Sequence, residues 1–254
     1  MKFALHGSTG IHVVRHIGNA MKYSDKGGLE MTNQMATHTR EYGGFLAVPE
    51  KKALLWLAER IPARVNSDHL TFLGLISMFV AGGCFWLARW NSCALFVVIA
   101  ALALNWFGDS LDGTLARVRN CRRERYGYYV DHVIDLAGTA ALLAGMALSG
   151  FMTPLVAAAL LSAYTIVAAE TFLATHVRRV FQLSRFGFGP TELRIVLSIG
   201  ALRLFVDPWV SLGGKQFLLF DVGGIVAVVG LLAAFLYSAV CNTCRLYKEE
   251  PLEK

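Results

Sequence analysis

Apolar residues run in long blocks over most of this chain, separated by short polar segments. Six blocks lie near Leu70–Leu87, Cys93–Phe107, Tyr129–Phe151, Pro154–Thr175, Thr191–Leu212 and Phe217–Val240. They approach the roughly 20 residues that a helix needs to cross a bilayer. Ahead of them, Pro49 to Ile61 shows a helical period instead of a continuous run. Ala53, Leu54, Leu57, Ala58 and Ile61 share one face, with Glu50, Lys51, Lys52 and Glu59 largely away from it. Pro49 suits a first helical turn and Pro62 a stop. An amphipathic helix lying in the membrane interface is expected here, with Trp56 at headgroup level. A soluble core helix would have the same face, but the six blocks that follow argue for the membrane. Residues 1–45 have no sustained apolar period, and Gly27-Gly28 and Gly43-Gly44 interrupt them. They are expected to be a polar tail, or to lie upstream of a start at Met31 or Met35. No charged start leading into an apolar core with a small-residue cleavage site marks a signal peptide. The expected organisation is a tail over 1–45, an interfacial helix over 46–64, an all-α domain of six transmembrane helices over 65–246, and a cytoplasmic tail over 247–254.

Composition agrees with lipid as the solvent. Of 254 residues, 55% are hydrophobic and 17% charged, against about 25% charged in an average soluble domain. Sixteen Phe argue against disorder, and five Cys are too few for a disulfide-stapled secreted module. The charges also alternate by side. Arg117, Arg119, Arg122, Arg123 and Arg125 lie between the second and third blocks, and Arg178, Arg179 and Arg185 between the fourth and fifth. The opposite side offers Arg89 and Lys215. Positively charged loops stay cytoplasmic, which puts both termini and both Arg-rich loops inside. The net charge of +6 then suits loops against anionic lipid, not nucleic acid.

The chemistry is concentrated between Asn105 and Gly138, where Asp109, Asp112, Asp131 and Asp135 interrupt apolar helices. A carboxylate at membrane depth costs several kcal/mol unless compensated, so such acids mark functional sites. At 3.6 residues per turn, Asp109 and Asp112 fall about 60° apart, with Gly113 and Ala116 in the same sector. Gly127, Asp131 and Asp135 form one stripe at intervals of four. Two carboxylate pairs on facing helices can therefore converge, beside small residues that leave room for a bulky ligand. Four carboxylates in a low-dielectric pocket repel one another, and one or two divalent cations would relieve this. An all-oxygen donor set favours Mg2+, Mn2+ or Ca2+ over zinc. Arg117 and the Arg cluster after it would complement phosphate. Phosphoryl-type chemistry at the cytoplasmic interface follows from these residues.

From Asp109 the chain reads D-S-L-D-G-T-L-A-R, and after nine residues G-Y-Y-V-D-H-V-I-D. This resembles the signature of the CDP-alcohol phosphotransferases, in which Asp109, Asp112, Gly113, Ala116, Arg117, Gly127, Asp131 and Asp135 fill every fixed position. The six-span layout extends the resemblance to roughly Pro49–Leu246. It implies that the four aspartates hold a centre of two ions, Mg2+ or Mn2+, and that Asp135 is the catalytic base toward the acceptor hydroxyl. It implies too that Gly113, Ala116 and Arg117 contact the CDP part of the donor. Asp68-His69-Leu70-Thr71 is similar to a short family segment, so Asp68 and Thr71 are expected at the nucleotide. A polar cap followed by Thr at a helix start is also common for structural reasons.

Phe188-Gly189-Pro190-Thr191-Glu192-Leu193-Arg194 opens the fifth block. It reads either as a Gly-Pro break and helix start, with Glu192 favoured by the dipole, or as a site where Glu192 and Arg194 select the acceptor. Arg178, Arg179 and Arg185 are expected to set topology. His132 lies about 100° off the aspartate stripe and suits packing. Cys241 and Cys244 suit reduced packing thiols. Gly223, Gly224 and Gly230 suit close helix packing, including a homodimer contact. The family resemblance implies a CDP-linked lipid donor, an alcohol acceptor and CMP as product. The Arg-rich face favours CDP-diacylglycerol as donor to an anionic alcohol. The alternative is transfer from CDP-choline or CDP-ethanolamine to diacylglycerol, which the Asp131-His132 pair and the Gly-Pro-Thr-Glu segment resemble more. A more remote alternative is an intramembrane cation transporter. It leaves the Gly, Ala and Arg between the acid pairs without a role.

Overall fold

The computed structural model describes residues 47–178, 189–250 and 252. The expected tail over 1–45, and Arg179, Arg185 and Phe188, lie outside the described residues. In chain order the elements are α1 (Ala47–Ala58), α2 (Ser67–Leu87), α3 (Ala94–Val118), α4 (Glu124–Ser149), α5 (Pro154–Arg178), α6 (Pro190–Leu204), β1 (Trp209–Leu212), β2 (Lys215–Leu218) and α7 (Leu219–Glu249). The architecture is thus helical apart from one short hairpin.

Five of these helices, α2 to α5 and α7, are long and apolar enough to cross a membrane. The largest differences from the hydropathy blocks lie at the second and the fifth. The second block does not stop at Phe107. Helix α3 continues to Val118 through Asp109 and Asp112, because acidic residues lower hydropathy without breaking a helix. The fifth block does not form one helix over Thr191–Leu212. Helix α6 has 15 residues, about 22 Å of rise against a hydrocarbon core of about 30 Å. Pro208 follows, the Trp209 amide donates to Asp207 Oδ1 at 3.0 Å, and the chain turns into β1. A short apolar run cannot by itself distinguish strand from helix. The hairpin turns through Gly213 and Gly214, at φ +58° and +79°. This is the pair of left-handed residues that a two-residue hairpin turn requires, with Leu212 opposite Lys215.

Helix α2 packs between α3 and α4. A Cβ on Gly145 would collide with the Gly82 carbonyl, one on Gly82 with the Ala141 carbonyl, and one on Gly108 with the backbone at Leu70 and Gly74. Small residues of this kind let helix backbones approach closely in lipid, where the hydrophobic effect no longer drives helices together. Around the crossing, Phe85, Leu95, Val98, Leu102 and Met146 are buried. At the far end of the bundle, the Thr153 amide donates to Asp221 Oδ1 at 2.6 Å. That bond joins the start of α5 to the start of α7. A Cβ on Gly224 would lie 2.6 Å from Met152, whereas Gly223 and Gly230 have nothing within 4 Å of theirs. The expected tight packing is therefore met inside the chain at Gly224. Deeper along the same pair of helices, Glu170 Oε1 accepts from Ser238 Oγ at 2.6 Å and Asn242 Nδ2 at 2.7 Å.

Helix α1 buries Leu54 and Ala58 against Leu70, Leu111 and Leu115. Ala53, on the expected apolar face, is exposed. The helix covers the end of the bundle where α2 begins and α3 ends.

The Gly82–Gly145 crossing yields a stability prediction. Gly145→Ala is expected to lower stability by about 1–3 kcal/mol through overpacking against backbone. Gly230→Ala, in open surroundings, is expected to be neutral or slightly stabilising from helix propensity. Thermal unfolding of the purified variants in detergent compares the two.

Candidate functional site

The carboxylates come from two helices that α2 holds at close range. Asp109, Asp131 and Asp135 each present an oxygen, and these three atoms lie within 4.8 Å of one another. Asp131 and Asp135 are one turn apart on α4. Gly127, one turn earlier, has nothing among the described residues within 4 Å of where a Cβ would sit, which agrees with the expected open surface beside the pair.

Asp112 is held differently. Its Oδ2 accepts from Thr71 Oγ1 at 2.6 Å and its Oδ1 from the Gly113 amide, while its carbonyl accepts from Ser67 Oγ at 3.0 Å. It is 9% exposed. The structure thus brings three of the four aspartates into one group and turns the fourth toward the start of α2. The angle of about 60° between Asp109 and Asp112 is enough to give them different neighbours.

Arg194 reaches the group from α6. Its Nη2 donates to Asp109 Oδ2 at 2.6 Å and its Nε to Asn105 Oδ1 at 2.7 Å. Asn105 is oriented in turn by donating from Nδ2 to the Gly74 carbonyl at 3.0 Å. The pair is largely enclosed, with 14% of the Arg194 side chain and 20% of Asp109 exposed. Arg194 Nη1 is buried without a hydrogen-bond partner among the described residues. Among the described residues, the Arg194 charge therefore pairs with one of the three carboxylates of the group, and a negative excess remains.

The expected nucleotide residues gather next to Asp112. Thr71 bonds it directly, and Asp68 pairs with Arg123 just before α4. The Asp68 hydrogen bond holds the Arg123 guanidinium still further toward its charged form. Arg117 Nε donates to the Gly113 carbonyl at 2.9 Å, and Gly113 and Ala116 are half-buried on the same helix end. Of the acceptor candidates, Arg194 stands at the carboxylates. Glu192 instead accepts from the Gly189 amide at 2.9 Å and closes the start of α6, which is the glutamate half of a capping box. His132 packs between Tyr128 and Phe172, at ring centroid distances of 4.2 and 4.8 Å.

Three contributors were not expected from the sequence. Asn105 orients Arg194. Arg119 ties down the link before α2 by donating from Nη2 to the carbonyls of Ile61 and Pro62 at 2.8 and 3.0 Å. Glu50 does not face away from the α1 core stripe. Its Oε1 accepts from Trp106 Nε1 at 2.8 Å and Thr191 Oγ1 at 2.8 Å. The signal was present in the spacing: Glu50, Leu54 and Leu57 stand at i, i+4 and i+7, which is one helical face.

The donor set suits a hard divalent cation. It is made of carboxylate oxygens, with no thiolate or imidazole among the grouped side chains. One guanidinium against several carboxylates also leaves the negative excess that such an ion would neutralise. Five helices long and apolar enough to cross a membrane, with an acidic group and an arginine at one end, fit a multi-pass membrane protein. The profile of the CDP-alcohol phosphatidyltransferase family matches residues 65–237, and the chain belongs to that family. Comparison with individual curated proteins finds no match. Members of the family are transferases of phospholipid synthesis that depend on divalent cations.

A cation held by this group would compete with Arg194 for Asp109. Arg194→Gln is expected to tighten Mn2+ binding by about tenfold, equivalent to about 1.4 kcal/mol. Titration followed by electron paramagnetic resonance measures it, and an equal or weaker affinity would refute the competition.

Proposed function

We propose that the protein transfers a phosphatidyl group from CDP-diacylglycerol to an alcohol that bears its own negative charge, and releases CMP. The observation that carries this reading is the enclosed Arg194 guanidinium. It sits against the three-carboxylate group with its buried Nη1 left without a partner among the described residues. An acceptor phosphate or carboxylate beside the carboxylates would give that donor a partner. A neutral diacylglycerol acceptor would not, which disfavours the reverse direction from CDP-choline or CDP-ethanolamine.

In this reading Asp109, Asp112, Asp131 and Asp135 hold two ions, Mg2+ or Mn2+. When bound, the ions supply Lewis acidity toward the donor pyrophosphate. Asp135, one turn along α4 from Asp131, takes the proton of the acceptor hydroxyl. The acceptor oxygen then bonds to the phosphatidyl phosphorus, the bond to the CMP oxygen breaks, and CMP leaves with the electron pair. Gly113, Ala116 and Arg117, with Asp68 and Thr71, line the nucleotide side, supported by their place next to Asp112. Arg194 orients the acceptor, with Glu192 stiffening the start of α6.

The Arg-rich segment after α3 lies at the site end of the bundle, which supports a cytoplasmic site and cytoplasmic termini. Six passages are also supported. Helix α6 starts at the site, and α7 starts at the opposite end, where Asp221 meets Thr153. The short helix together with residues 205–208 would complete the fifth crossing. The interfacial helix would occupy 46–64, the six-pass domain 65–246 and the tail 247–254. The open strip at Gly223 and Gly230 would suit a homodimer contact.

Purified protein with labelled CDP-diacylglycerol and a panel of phosphorylated and neutral alcohols tests the reading. Asp135→Asn is expected to lower CMP release by at least about 100-fold, while equilibrium binding of the donor survives. Chelation with EDTA is expected to abolish release. Transfer from CDP-choline to diacylglycerol would establish the reverse direction, and a cation transporter would release no CMP.

A further inference from the structure

Glu50 is an acidic side chain on the helix outside the six apolar blocks, yet its hydrogen bonds run to both helices that carry the Arg194–Asp109 pair. Its Oε1 accepts from Trp106 Nε1 at 2.8 Å and, at 3.4 Å, from Ser110 Oγ, both on α3. The same oxygen accepts from Thr191 Oγ1 on α6 at 2.8 Å. Bonds to an ionised acceptor are roughly twice as strong as neutral ones.

The positions interlock. On α3, Asn105 and Asp109 face Arg194, and the next residue along each time, Trp106 and Ser110, faces Glu50. On α6, Thr191 precedes Arg194 by three residues, so the two side chains emerge from neighbouring turns of one face. The first turn of α6 is therefore fastened to α3 twice, directly through Arg194 and through the Glu50 bridge. Without the bridge, Arg194 would carry the side-chain hydrogen bonds between the start of α6 and α3 among the described residues. The arginine is also the group that must be placed to within about an ångström for catalysis.

We infer that Glu50 is a positioning residue for the transfer reaction. Through Trp106, Ser110 and Thr191 it sets the placement of Arg194 against Asp109, and so makes α1 part of the site's support. This rests on the proposed function for its kinetic consequence, but its structural consequence can be measured without turnover.

The test uses the full chain in lipid nanodiscs as wild type, Glu50→Ala and Glu50→Gln, since glutamine keeps an oxygen acceptor. Amide hydrogen exchange over 193–197, whose amides bond back into the first turn of α6, is expected to quicken at least tenfold in Glu50→Ala, with α5 and α7 unchanged, and to be largely restored in Glu50→Gln. In the CMP-release assay, kcat is expected to fall about 10- to 100-fold in Glu50→Ala with the donor KM little changed, and to recover in Glu50→Gln. Unchanged exchange in α6, faster exchange throughout the bundle, a retained kcat, or no rescue by glutamine would each overturn the inference. If the wild type releases no CMP from any donor, the phosphotransfer reading fails. The exchange result then decides the role of Glu50 by itself.

Discussion

Concentrating carboxylates at one end of an apolar bundle is the constraint from which the surrounding arrangement follows. Like charges in a poorly polarisable setting repel strongly, so a protein that gathers them must also supply positive charge and hydrogen-bond donors. Arg194 supplies the charge to Asp109, and Thr71 and the Gly113 amide supply donors to Asp112. An enclosed guanidinium needs partners of its own, and Asn105 provides one while donating to the Gly74 carbonyl. The site is thus a network of hydrogen bonds across α2, α3 and α6 beside the two acids of α4, not four acids on two helices.

The network can close because the helices touch backbone to backbone. Gly82 and Gly145 remove side chains where α2 crosses α4, and Gly74 and Gly108 do so where α2 meets α3. With α2 this near to both, Asp109 on α3 and Asp131 and Asp135 on α4 fall within bonding range of a single ion. A helix separation one side chain wider would put the two carboxylate sets out of mutual reach. The glycines within the acidic motif have another task. Gly127 leaves open space beside the acids, where a ligand can approach.

At the margins of the site, local chemistry and tertiary demand diverge. Glu192 has the residue type of a ligand-binding acid, yet it serves the helix start by accepting from the Gly189 amide. Glu50 has the residue type of a solvated interfacial charge, yet it accepts from α3 and α6. In both cases the decisive fact is which donors lie nearby. Helix periodicity alone carries no information on donors supplied by another helix. The end of α6 is a similar case. The apolar run continues to Leu212, but Asp207 captures the Trp209 amide and Pro208 offers none, so the chain leaves the helix.

By itself, the sequence determined that apolar helices dominate the chain, that an acidic motif with fixed spacing runs through two of them, and that Asp131 and Asp135 share a stripe. These are properties of composition and of helical repeat, both of which are local. It also carried the family signature, whose spacing reflects a site built on two helices in succession. Only the tertiary structure decided that three of the four aspartates form one group while Asp112 turns to Thr71. It likewise decided that α6 stops at Leu204, and that Arg194, Asn105 and Glu50 support the acids. Those outcomes depend on the distance and rotation between helices. They are set by where glycine permits backbone contact and by which buried charge finds a partner, and neither is a function of any one segment's own pattern.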